Sequence, residues 1–224
     1  IDSHIKDLLE SIFERLTEEI YRSIRPDCNI PGEPCSHCRD IAEDHALDLL
    51  HRIPEVRRQL AADVQAGYDG DPAAKGTDEV IFAYPAIYAI SVFRIAHELT
   101  RIGVPLLPRI MTEYAHNETG IDIHPGSVIA ESFCNDHRSG IAIGETCVIR
   151  NRVKIYQCVT LGALPTKGGQ QWRGRRRHPT IEDDVTLYGG VIILGGSTVI
   201  GQGATIGGSV FITTSVPAGH TVSM

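Results

Sequence analysis

A period of six restricts this chain more than any other feature. From Gly120 onward aliphatic residues fall six apart: Ile123 and Ile129; then Ile143, Ile149, Ile155 and Leu161; then Ile181 and Leu187; then Leu194, Ile200, Ile206 and Ile212. A helix repeats near 3.6 residues and a lone strand at two, so neither accounts for the spacing. A six-residue repeat is one short strand plus a turn, and three such units close a triangular coil, a parallel β-helix. The aliphatic of each hexad points into the prism. Small residues often follow it, as in "IGETCV", "LGGSTV", "IGQGAT" and "IGGSVF", and they suit a tight corner.

Three steps break the frame. Ile129 to Ile143 spans 14 residues, Leu161 to Ile181 spans 20, and Leu187 to Leu194 spans seven. A coil that stays stacked ejects extra residues as a bulge or loop. The first break holds Asp136 and His137. The second, "GALPTKGGQQWRGRRRHP", is predicted to protrude as a loop over 162–178, with Gly168, Gly169, Gln170 and Gln171 as a flexible tip. Reactive side chains therefore cluster where the regular structure yields, and loops on a rigid scaffold commonly carry chemistry.

Residues 1–118 carry the helical period instead. Ile5, Leu8, Leu9, Ile12, Phe13, Leu16, Ile20 and Ile24 form one apolar stripe. Pro26, Pro31, Gly32 and Pro34 then interrupt it. Further helices are predicted over 36–51 and 54–66, and "GYDGDPAAKG" reads as a polar loop. Another helix is expected to start near Thr77 or Asp78 and stop at Gly103, with Pro85 forcing a kink or a later start. The expected organisation is an α+β chain: an N-terminal α-helical domain over 1–118, then a β-helix over 119–224.

With a net charge of −7 and 42% hydrophobic residues, a globular protein is expected and a nucleic-acid binder is not. The one dense cationic run, Arg173, Arg175, Arg176 and Arg177, suits a small anion. No apolar stretch reaches about 18 residues, and the N-terminus is amphipathic and acidic rather than basic then apolar, so a cytoplasmic protein without a membrane span is expected. Six cysteines in such a chain are expected as thiols. Cys28, Cys35 and Cys38, with His37 between the last two, lack the usual second ligand pair some 12 to 20 residues on. An ordinary Pro/Gly-rich loop is therefore expected, and no metal.

Asp122, His124, Asp136, His137, Arg177 and His178 together offer two carboxylates, three imidazoles and a guanidinium. With a coil turn of about 18 residues, Asp122 and His137, 15 apart, fall nearly one turn apart and within stacking reach. A carboxylate holding one imidazole nitrogen makes the other a better base toward a hydroxyl. Asp136 and His137 fit an ordinary capped turn equally well on spacing alone.

The helical first half followed by "GIDIHPGSVI", "NDHRSGIAIGETCVI", "VTLGA" and "RHPTI" resembles serine acetyltransferases of the hexapeptide-repeat, left-handed β-helix class, over about residues 53–217. The resemblance implies a left-handed coil, an exception to right-handed crossovers. It implies acetyl-CoA as donor, L-serine as acceptor, and O-acetyl-L-serine and CoA as products. His137 of "NDH" matches the general base and Asp122 of "DIHP" its carboxylate partner. Asp136 and Asp71 of "GDPAA" match residues that hold the serine ammonium. Arg177 and His178 of "RHP" match the carboxylate clamp, and Glu145 of "GET" a polar site residue. Ala163, Gly189 and Gly208 fall where small residues line the CoA groove. The family further implies a homotrimer or a hexamer, with active sites in clefts between subunits. It also implies a cysteine synthase partner docking through a C-terminal tail that is not in this sequence, which ends "VPAGHTVSM". The stretch between "VTLGA" and "RHP" departs from the family in being longer and more basic. Rival functions are acetyl transfer to a sugar or xenobiotic hydroxyl, and a coil-type zinc lyase using His124, His137 and His178.

Overall fold

The computed structural model describes residues 2–28, 35–135, 139–164 and 167–223. Five helices come first: α1 (Asp2–Ile24), α2 (Ser36–Gly70), α3 (Thr77–Ala83), α4 (Pro85–Arg101) and α5 (Leu107–Thr119). Strands follow in coil order. The first turn contains β1 (Ile121–Ile123), β2 (Val128–Ile129) and β3 (Cys134–Asn135); the second β4 (Ile141–Ile143), β5 (Val148–Ile149) and β6 (Lys154–Ile155). The third has β7 (Thr160–Gly162), β8 (Thr180–Ile181) and β9 (Thr186–Leu187); the fourth β10 (Ile192–Leu194), β11 (Val199–Ile200) and β12 (Thr205–Ile206). The chain closes with β13 (Phe211–Ile212) and β14 (Thr221–Val222). Every third strand pairs in parallel, giving three faces: β1-β4-β7-β10-β13, β2-β5-β8-β11 and β3-β6-β9-β12-β14. This is the left-handed parallel β-helix behind a helical region.

The inward positions are the hexad aliphatics. Ile143, Ile149, Ile155, Leu161, Ile181, Leu187, Ile200 and Ile206 are each at most 2% exposed. One assignment shifts. Ile193, not Leu194, pairs with Leu161 and Ile212 and points inward. The odd residue therefore falls after Ile193, at the Gly195–Gly196 corner, and not between Leu187 and the fourth turn. The second break is also re-read. Ile143 pairs with Leu161 and Ile149 with Ile181, so Leu161 to Ile181 is a single hexad carrying a 14-residue excursion (20 less six). In the first break, Asn135 pairs with Ile155 and Ile143 with Leu161. The step of eight there against six in the next turn leaves two extra residues between β3 and β4.

The corners depend on conformation more than on small size. Gly140, Cys158, Gly190 and Ser209 occupy one corner in successive turns, and Ser132, Arg152, Asp184 and Gly203 another, all with φ between 55° and 75°. Five of these eight residues carry side chains despite the left-handed backbone.

The helical half differs from expectation at Pro54 and along α1, and agrees with it at Pro85. α2 runs unbroken through Pro54. Leu49 and Val56, buried on either side of the proline, hold one face against its neighbours and outweigh the missing N–H. At Pro85 the expected break occurs: Tyr84 is extended, as a residue before proline prefers, and α3 and α4 meet at 75°. On α1 only the second half of the apolar stripe packs within the chain, where Ile20 is fully buried, while Ile5, Leu8, Leu9 and Ile12 stay 42–53% exposed. No single described helix is long and apolar enough to cross a membrane.

α4 plugs the open end of the coil. Its Ala86, Ala89, Ile90 and Phe93 join the prism core. Its Arg94 is buried and spends every N–H. The guanidinium pairs bidentately with Asp63 of α2 (2.6 and 2.9 Å) and also donates to Gln59 and to the Ile129 and Ala130 carbonyls. Asp63 in turn accepts from the Phe133 N–H at 2.9 Å. That hub fixes the backbone of Ile129, Ala130 and Phe133 ahead of β3.

Candidate active site

Two corners of the coil carry the candidate residues. The first follows the strands β1, β4 and β7. His124 sits there in the first turn, Gly144, Glu145 and Thr146 in the second, and Arg177 and His178 in the third, where the 14-residue excursion rejoins the coil. Thr146 organises them. Its hydroxyl oxygen accepts the backbone N–H of Arg177 (2.9 Å) and of His178 (3.1 Å). Its own N–H donates to His178 Nδ1 at 3.1 Å, and its hydroxyl reaches the same nitrogen at 2.8 Å. Nδ1 therefore accepts, and the ring proton lies on Nε2. The imidazole rests on the bare backbone of Gly144, where an added Cβ would lie 2.1 Å from Nε2.

Electrostatics hold both rings at this corner neutral. Burial, reinforced by the Arg177 cation, pushes His178 down to about 4. Burial and the Arg109 cation likewise lower His124, against the opposing pull of Glu145 and Asp122. His124 Nδ1 accepts the Gly126 N–H at 3.0 Å, and the corner is braced from α4 by a 2.9 Å contact between His97 Nδ1 and the Pro125 carbonyl. For Glu145, burial works to raise the carboxyl, but its bond and charge pairing with Arg177, with the two rings nearby, keep it below its usual range.

The excursion roofs this corner. Its tip is not an open loop: Gly169–Trp172 forms a 3₁₀ turn, and Trp172 Nε1 donates to the Lys167 carbonyl at 3.3 Å. Between tip and coil lies a cavity of about 470 Å³ lined by Glu145, Gly169, Gln170, Trp172, Arg173 and Arg177. Arg176 is turned away, donating to the Gly196 carbonyl at 3.0 Å and to Thr180 Oγ1. Gly196 has no Cβ for a reason: one would lie 2.7 Å from the Arg176 carbonyl oxygen. Ala163, half-buried, begins the excursion at this same corner.

The second corner lies at the opposite end of the same strands, where β3 leads to β4. Asp136 and His137 follow β3 in sequence and lie outside the described residues. Asp71 sits at the C-terminal end of α2, accepting the Tyr84 hydroxyl (2.7 Å) and the Ala73 N–H (2.9 Å). Its neighbour Gly70 packs against Cys134 of β3, and Lys154 Nζ donates to the Gly70 carbonyl at 2.6 Å. Gly189 and Gly208 stack in later turns of this corner, with a Cβ on Gly208 falling 3.1 Å from the Gly189 carbonyl and the Gln157 amide lying over Gly189.

Asp122 lies between the corners, half-buried on the outer face of β1. The residue stacked on it is Ala142, 20 positions on, because this first turn is 20 residues and not 18. Sequence spacing therefore does not by itself stack His137 on Asp122. Within one chain the fold gathers Glu145, Arg177, His178 and Ala163 at one corner and Gly189 and Gly208 at the other, with Asp71 next to Gly70, which packs on β3 and β6. His124 received from the sequence only the role of a ligand in the rival zinc reading, and Thr146 received none. "DIHP" hinted at the first, whereas the second becomes visible only when the excursion returns to it.

Comparison with known proteins places these features. No family model matches the chain. The plasmid serine acetyltransferase of Synechococcus elongatus is 46% identical over 226 residues, covering 98% of this chain and 70% of that protein. The serine acetyltransferase of Bacillus subtilis is 41% identical over 165 residues, 74% of this chain and 73% of its own. Among solved structures, Entamoeba histolytica serine acetyltransferase 1 in complex with L-cysteine superposes with a TM-score of 0.87 at 35% identity, covering all of this chain and 78% of that one. Neisseria gonorrhoeae serine acetyltransferase in complex with serine gives 0.72 at 27% identity, with 93% and 80% covered. Kinship across nearly the whole sequence, on a shared coil, leaves one conclusion: the chain belongs to the serine acetyltransferase family.

Proposed function

We propose that the protein transfers the acetyl group of acetyl-CoA to the hydroxyl of L-serine, giving O-acetyl-L-serine and CoA. The observation that carries this is the juxtaposition, at one corner, of the Arg177 guanidinium, held by Glu145, and a neutral His178 whose proton is fixed on Nε2. A cation beside a neutral donor suits an amino-acid carboxylate. Asp71 and Asp136 supply the opposite charge for the ammonium. His137 takes the hydroxyl proton as the serine oxygen attacks the thioester carbonyl, with Asp122 stabilising the imidazolium. The C–S bond then breaks, and the proton passes from His137 to the CoA sulfur. Ala163, Gly189 and Gly208 are the small residues that lie along the pantetheine arm.

The separation of the two corners supports a shared site. A three-residue strand spans about 10 Å, more than one serine bridges. The ammonium and carboxylate clamps therefore come from neighbouring chains, as a trimer supplies. The exposed Ile5, Leu8, Leu9 and Ile12 of α1 support further association of trimers through the helical half.

Thiol release from acetyl-CoA, measured with L-serine, homoserine and sugars as acceptors, tests the assignment. L-Serine is expected to dominate, and equal turnover of a sugar would refute it. His137→Ala is expected to lose about 10²- to 10⁴-fold, the range for general-base help, with Asp122→Asn less damaging. Retention of more than about a tenth of the rate in His137→Ala would remove the base.

A further inference from the structure

We propose that Cys28, Cys35 and Cys38 form a zinc site that ties the end of α1 to the start of α2. The three sulfurs lie within 4.8 Å of one another, and Cys28 Sγ and Cys35 Sγ approach to 3.6 Å. Zinc–thiolate bonds of about 2.3 Å in tetrahedral geometry put sulfurs about 3.8 Å apart, so the thiols already stand close to the edge length of such a site. Cys35 is 4% and Cys38 2% exposed, and burial shields a thiolate–metal bond from exchange.

The local fold suits anionic sulfur. Cys35 caps the N-terminus of α2, and the Cys38 N–H donates to its sulfur at 3.4 Å. A helix N-terminus favours negative charge, and amide donors commonly support metal thiolates from outside the ligand set. The Cys35 N–H donates to the Tyr21 hydroxyl at 3.2 Å, which anchors this cap to α1. The sequence argued against a metal because no second cysteine pair follows. The fold nevertheless brings Cys28, just past the short 3₁₀ turn Arg25–Asp27 that ends α1, onto the Cys35–Cys38 pair.

No other described His, Cys, Asp or Glu joins the three within that distance. Three converging sulfurs also fit a metal better than a disulfide, which would strand one buried thiol. Soft thiolate sets select zinc among the common divalent ions.

The test is metal analysis of the untagged full-length protein after zinc reconstitution. About one zinc per chain is expected, falling below about a tenth in Cys35→Ser/Cys38→Ser. Because that variant could misfold, the wild-type protein is also stripped and reloaded with cobalt. An intense thiolate-to-cobalt charge-transfer band is expected, and Cys28→Ser should weaken it. Less than about a tenth of a zinc per reconstituted chain, zinc undiminished in the double variant, or a cobalt spectrum without thiolate bands would each overturn the proposal. So would an intact mass two hydrogens short with Cys28 linked to Cys35 under reducing purification, which would make the pair a disulfide.

Discussion

Gly144→Ala concentrates the reasoning about the Arg177–His178 corner into one methyl group. A Cβ at residue 144 would lie 2.1 Å from His178 Cδ2 and Nε2 and 2.8 Å from Cε1. Carbon contacts settle at about 3.5 to 4.0 Å, so the ring must retreat by about 1.5 Å. It cannot do so and keep both contacts to Thr146, at 3.1 and 2.8 Å. Overpacking of this kind costs about 1–3 kcal/mol. In a chain of this size that corresponds to a fall of a few degrees in Tm at about 2–4 °C per kcal/mol. Activity should suffer more, because a 1 Å misplacement of a positioning group costs about 10²-fold. The assay is thiol release at varied L-serine, beside thermal melts and circular dichroism, with His178→Ala as second background. The expected result is a kcat/KM for serine reduced about 10²-fold with the coil intact, and little further loss when Gly144→Ala is added to His178→Ala. Equal losses in both backgrounds would show that the methyl acts elsewhere, and unchanged kcat/KM would remove His178 from the site.

Thr146→Val keeps shape but removes the hydroxyl that accepts two backbone N–H groups and contacts His178 Nδ1. A loss of about 1–3 kcal/mol in stability is expected, together with a raised serine KM, and a melt and KM matching wild type would refute the anchoring role. Arg177→Lys should raise the serine KM about tenfold and leave that for acetyl-CoA alone. Arg176 cannot compensate while bound to Gly196 and Thr180, and a rise confined to the acetyl-CoA KM would reassign the residue to phosphate. His178 titrates near 6.5 when unfolded and about 4 when folded, so the unfolded state takes up the proton first as pH falls. Its contribution to stability is complete above about 6.5 and is lost between 6.5 and about 4. Melts across that window should slope more steeply for wild type than for His178→Gln, and parallel curves would contradict the neutral ring.

The hexads were readable because an inward aliphatic every six residues is a packing requirement that leaves no choice of residue class. Leu194 misled where that logic is degenerate. In "VIIL" both Ile193 and Leu194 are aliphatic, and only the pairing of Ile193 with Leu161 decides which faces in. The corners were half legible. Glycine announces a left-handed residue, whereas Arg152 and Asp184 do so only through their place in the stack. Their bidentate ion pair (2.6 and 2.9 Å) joins neighbouring turns in a way no local pattern signals. Arg177 and His178 were found by motif, but Thr146 is 31 residues from Arg177 and needs the returning chain to explain it. Pro54 shows tertiary packing overriding a strong local breaker. The α1 stripe shows the converse, a helical pattern whose first half this chain alone leaves unsatisfied.

The 14-residue excursion leaves and re-enters the coil without disturbing its frame: Leu161 and Ile181 occupy successive inward positions as if nothing lay between them. Loop length is thereby uncoupled from registry. Lengthening a flexible loop is thermodynamically mild, about 0.6 kcal/mol per doubling, whereas one residue gained or lost within a strand would turn a whole face inside out. Selection can therefore remodel the wall formed by Trp172 and Arg173 by insertion and deletion, while the corner beneath it stays in place. Such a scaffold lets substrate access evolve by changes of length, a freedom few active sites set between regular elements possess.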